Sequence, residues 1–139
     1  MSIKVGVENG LEGRTIAWVL DHPGCFSTGE NTQEALQALL PVIKDFNQWL
    51  TRHGLEAHEV DLRQAVQVEE TWDVYHIDED FAVSRTGYEV NAWFQDDWRA
   101  LTEKDVEFGI ALLAASRAEL LECVDEASQE TMNEKFNGE

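Results

Sequence analysis

The chain is poor in positive charge. Lysine and arginine together number 10 against 28 aspartates and glutamates, and the net charge is −18. A surface of that sign repels phosphate and anionic lipid, so direct nucleic-acid or membrane binding is not expected. Cysteine is nearly absent too. Cys25 and Cys123 lie far apart, neither belongs to a C-x-x-C pair, and both read as free thiols. No stretch of about 18 apolar residues spans a bilayer. Met1-Ser2-Ile3-Lys4 leads straight into an alternating pattern, without the apolar core of a secretion signal. The expected compartment is the reducing cytoplasm. The sequence holds no G-x-S-x-G, P-loop, G-x-G-x-x-G or H-E-x-x-H motif, which removes the common hydrolase, nucleotide and zinc-protease signatures.

What is present is enough for a packed core: 43% of the 139 residues are apolar, close to the globular average once glycine is added. Ile3, Val5 and Val7 alternate with Lys4, Gly6 and Glu8, which predicts a strand with one covered face. Turn chemistry at Glu8 to Gly13 leads into a second strand from Arg14 to Leu20, with Ile16, Trp18 and Leu20 on one face. Asp21-His22-Pro23-Gly24 breaks the ladder, and a short strand follows over Cys25 to Gly29. Asn31-Thr32-Gln33-Glu34 is a capping-box pattern. It opens a helix whose stripe runs through Leu36, Leu39, Leu40, Ile43, Phe46, Trp49 and Leu50 to a stop at Gly54. Pro41 lies inside that helix and predicts a kink or a split.

Val60 to Val68 reads as a further strand. Residues 71–83 are ambiguous, with Trp72, Val74, Tyr75, Ile77 and Phe81 apolar enough for burial. Residues 84–100 read as an irregular loop with aromatic anchors. Thr102 caps the last helix. One stripe of that helix holds Val106, Ile110, Leu113, Leu120 and Val124, and a second holds Phe108, Leu112 and Ala115. Segments of 1–70, 71–101, 102–127 and a polar tail over 128–139, with Phe136 exposed, follow from this pattern.

The segment Trp18-Val19-Leu20-Asp21-His22-Pro23-Gly24-Cys25-Phe26-Ser27-Thr28-Gly29, followed by Thr32-Gln33-Glu34-Ala35-Leu36, resembles the HicB-like antitoxin domain. The resemblance covers about residues 1–70 and implies an α+β fold with a β-β-β-α-β layer and a protein-binding role. Such antitoxins usually add a helix-turn-helix or ribbon-helix-helix. The acidic second half shows neither, so an operator-binding function is not expected. That half, through Trp93 to Glu103 and Ser116 to Leu121, is similar to the linker and first helix of a DinB-like bundle, whose metal-dependent thiol transferases use three histidines. No histidine follows His76 here.

No catalytic or cofactor constellation emerges. His76-Ile77-Asp78-Glu79-Asp80 reads as a solvated acidic loop, since a metal needs several converging ligands. His22 beside Cys25, with His53 and His58 distant, does not make a zinc site. Arg117 is expected to pair with a carboxylate rather than to bind substrate. The expected function is therefore a non-enzymatic protein-interaction module without cofactor or metal. Its partner-binding residues are Trp93, Phe94, Trp98, Phe108 and Leu112. The uncovered face of the last helix points to a homodimer, and the acidity suits a basic protein partner. The alternative is the N-terminal regulatory part of a DinB-like transferase whose catalytic bundle lies outside this chain.

Overall fold

The computed structural model describes residues 2–22, 24–57 and 66–127. Pro23, His58, the first part of the expected 60–68 strand and the 128–139 tail lie outside them. The fold is α+β, in the order β1 (Ile3–Leu11), β2 (Arg14–Val19), β3 (Phe26–Gly29), α1 (Thr32–Arg52), β4 (Val66–Asp73), β5 (Tyr75–Ile77), β6 (Val83–Ser84), β7 (Tyr88–Val90) and α2 (Glu103–Glu126). A 3₁₀ turn, Gln95–Trp98, precedes α2. The main sheet runs β3-β2-β1-β4 and a small second sheet runs β6-β5-β7. Among the described residues, no helix is long and apolar enough to cross a membrane.

Period-2 alternation builds the core. Val5 pairs with Val19, and Val7 with Ala17. Ala17 in turn pairs with Ser27. These positions share one face with Ile3, and α1 lays Ala35, Leu39 and Ile43 against it. The Ser27 hydroxyl donates to the Ala35 carbonyl at 2.7 Å, tying β3 to the first turn of the helix. Each fully buried leucine or valine contributes about 1.5–3 kcal/mol through loss of apolar surface to water.

Both ends of α1 are closed by local chemistry. The Asn31 side chain accepts from the Glu34 N–H at 3.0 Å. Glu34 reaches back to the Glu30 N–H at 3.1 Å, one residue before the cap. At the other end Gly54, at φ +68°, donates to Thr51 O and Leu55 donates to Leu50 O. That pair of bonds is a Schellman closure. The expected break at Pro41 does not occur, because α1 is continuous through it. Pro41 lies on the solvent side, as does Gln37, whose carbonyl lost its donor and is left to water.

Four further expectations change. Among the described residues the fourth strand runs over Val66–Asp73, into the stretch that read as ambiguous. It runs parallel to β1 with a bulge at Glu69, since Val5 faces Val68 and Gly6 faces Glu70. The 84–100 loop contains β6, β7 and the 3₁₀ turn, and it is held to the main sheet by the Trp72 indole N–H donating to Val90 O at 3.3 Å. Phe81 is 82% exposed at φ +61° in the turn after β5, so it is not a core residue. Finally, β1 is covered on both faces: Gly6 and Glu8 are also buried.

Gly29 tests the β3–α1 junction. A Cβ built there falls 2.5 Å from the Ala35 backbone nitrogen, which is anchored in the first helical turn. Gly29→Ala is expected to destabilise the protein by about 2–3 kcal/mol in urea unfolding, since backbone and not a flexible side chain must yield.

Candidate protein-interaction surface

α2 is capped at its start. The Thr102 hydroxyl accepts from the Asp105 N–H at 3.2 Å, and the Asp105 carboxylate accepts from the Thr102 N–H at 2.7 Å. Arg99 closes on the same carboxylate at 2.9 Å. The Thr102 backbone bond, then its hydroxyl, then Arg99 hold the Asp105 carboxyl down to about 2. This cluster fixes where the helix departs from the 3₁₀ turn.

Twenty-four residues of helix follow, and none of them is buried. The inner side faces α1. Phe108 lies with its ring centroid 6.0 Å from that of His22. Leu112, with the more exposed Leu113 beside it, lines a groove of about 550 Å³ together with Phe46 and Trp49. Farther along, Glu119 accepts from the Trp49 indole N–H at 2.5 Å and lies 3.8 Å from His53 Nε2. The indole bond, together with His53, holds the Glu119 carboxyl below its ordinary value of 4.5. A polar bond therefore ends a contact that begins with aromatic packing.

The outer side has no cover among the described residues. Val106, Ile110, Leu113, Leu120 and Val124 are exposed to between 42% and 71%. With Arg117 between them they recur at alternating steps of four and three, the seam of a coiled coil, with Ile110 and Val124 at a and Val106, Leu113 and Leu120 at d. The seam is about 27 Å long at 1.5 Å per residue. The expected pairing of Arg117 does not form, as no carboxylate lies within ion-pair distance of it among the described residues.

The aromatic residues expected to bind a partner separate into three groups. Trp93 and Trp98 are exposed and meet edge to face at 5.2 Å. Phe94 is 5% exposed. Its ring covers Gly6, where a Cβ would come within 2.8 Å of it. It anchors the 91–98 segment on the sheet and is unavailable to a partner. Phe108 and Leu112 are half-buried on the side that carries His22 and α1, so among the described residues the inner stripe is partly covered and the outer one is not. The seam through Arg117 was legible in the spacing, but only the position of α1 shows which stripe it leaves open.

Cys25 is buried, and burial pushes its thiol up to about 11, away from the reactive thiolate. Cys123 is exposed on α2 and free. His76 faces Glu89 across the β5–β7 ladder at 3.7 Å. The Asp78 carboxylate accepts from the Asp80 and Ala82 N–H groups, both at 3.0 Å, which makes it the organiser of the turn. No three metal-ligating side chains converge among the described residues.

Glu119 gives the α1–α2 contact a pH dependence. Its folded value is depressed, so its contribution is complete above the ordinary 4.5 and is lost as pH falls through the folded value. Acidification below 4.5 is expected to shift the Trp49 indole N–H resonance. In Glu119→Gln the amide oxygen still accepts the bond, so that resonance should stay flat over the same range; an unchanged response in the variant would assign the shift elsewhere. Compared with protein families, curated proteins and solved structures, the chain shows no match.

Proposed function

We propose that this chain is a non-enzymatic protein-interaction module that self-associates through the outer seam of α2. The observation carrying this reading is the exposure of Val106, Ile110, Leu113, Leu120 and Val124 on a helix whose other side already packs on α1. Soluble monomers seldom leave an apolar strip of several hundred Å² open.

A second copy fits the seam. β-branched residues at a with leucine at d favour two parallel strands, and a single basic residue at an a position sets register at some cost in stability. Arg117 occupies that position. Pairing about 27 Å of helix removes on the order of 600 Å² per copy, at the lower end for a stable interface. The arrangement is two-fold, and the sheet and α1 stay outside the seam. The likeness of residues 1–70 to HicB-like antitoxin domains supports a binding role in the same direction.

Sedimentation velocity at low micromolar concentration tests the proposal. The expected species is a dimer of the 15.8 kDa chain. Leu120→Glu should weaken it by about 30-fold or more, with unchanged circular dichroism. Leu112→Glu should act differently, loosening α2 from α1 and lowering stability by about 1–3 kcal/mol, because its side chain faces Phe46 and Trp49. A single species of monomer mass for the wild-type protein would overturn the self-association.

A further inference from the structure

Glu8 is the one acidic side chain buried among the described residues, at 2% exposure on the central strand β1. Its Oε1 accepts from the Ala92 N–H at 2.6 Å and its Oε2 from the Trp18 indole N–H at 3.2 Å. A carboxylate offers about four acceptor sites, so each oxygen retains one. No lysine, arginine or histidine lies within ion-pair distance of it among the described residues. A carboxylate withdrawn from water without a countercharge is costly, and two neutral donors offset only part of that cost.

The group borders a groove of about 480 Å³ on the sheet face opposite α1. Trp18 and Phe26 form one wall, with ring centroids 4.8 Å apart, and Phe94 forms another. Asp97, whose carboxylate accepts from the Phe94 N–H at 3.0 Å, also lines the groove, and no basic residue does. The volume falls within the roughly 300–1,000 Å³ that small-molecule sites occupy, apolar with a few convergent polar groups. A divalent cation is a poor occupant, because hard cations take about six oxygens and the groove presents two carboxylates. An ammonium group needs fewer. It completes the open acceptor sites of Glu8 and gains from the electron-rich faces of the indole and phenyl rings.

We propose that this groove binds a small organic ammonium ion with an apolar body, its nitrogen on Glu8 and its body against Trp18 and Phe26. The site is independent of the α2 seam. A titration of isotope-labelled protein with 2-phenylethylammonium chloride, followed by NMR, tests it. The Trp18 indole N–H and the Ala92 amide should shift together and saturate, with Kd on the order of 1 mM. The neutral isostere 2-phenylethanol should bind about tenfold more weakly or worse. Glu8→Gln should lose a similar factor for the ammonium ion while the Trp49 indole resonance holds its place. Should that variant not fold, the comparison of ion with alcohol on the wild-type protein decides alone. Equal binding of the alcohol overturns the proposal, as does the lack of a saturable shift up to about 20 mM. Tighter binding of Nα-acetyl-lysine methylamide overturns the small-molecule assignment in favour of a partner's lysine.

Discussion

Burial of β1 on both faces is the constraint from which the rest of the arrangement follows. Ile3, Val5 and Val7 require the helix α1 on one side. On the other side Gly6 leaves a gap that only a ring from elsewhere fills, and Phe94 fills it. Glu8, two residues on, has to find donors and takes them from Trp18 and the Ala92 backbone. The Phe94 ring and the Ala92 bond hold residues 91–98 against the sheet. They thereby place Arg99, which places Asp105, which places the first turn of α2. The position of the helix at the surface is set by a glycine and a carboxylate in the first strand.

α2 rests on that foundation lightly. Its inner side meets His22 through Phe108 and α1 through one hydrogen-bonded carboxylate, with a groove lined by Leu112 between. A helix held by aromatic edges and a polar bond keeps its own backbone regular without needing its other side. That side therefore carries an apolar seam that the described residues do not cover. The exposed edge-to-face pair Trp93–Trp98 lies in the segment leading into it and adds apolar surface.

Much of the N-terminal layer was legible because its signals are local. Alternation marked β1 and β2, Asn31 and Glu34 marked the start of α1, and Gly54 marked its end. The continuity of α1 through Pro41 was not legible, since it depends on which side of the helix meets water. The strands β5 to β7 are two or three residues long, too short for any period to register. The site was harder still. Alternation assigned Glu8 to a solvent face, and its contacts with Trp18 and with the Ala92 backbone, 84 positions away, are not marked by that pattern. Phe94 read both as an anchor of its loop on the sheet and as a partner-binding residue, and its burial over Gly6 makes it the anchor. In α2 both stripes were visible, but the sequence does not say which one a neighbour in the same chain covers.

The parallel pairing of β1 with β4 has a kinetic consequence. β1 meets β2 through a tight hairpin, so that edge closes early. Its other edge waits for a strand about sixty residues later, as the Asn9–Asp73 bond shows with its separation of 64. Loop-closure entropy of that size slows the step, and parallel pairing adds no local turn to guide it. Until β4 arrives, the growing chain holds an open strand edge of valines. Prompt docking of α1 is what shields those side chains in the interval, which gives the capping box at Asn31 a part in the order of folding as well as in the final stability.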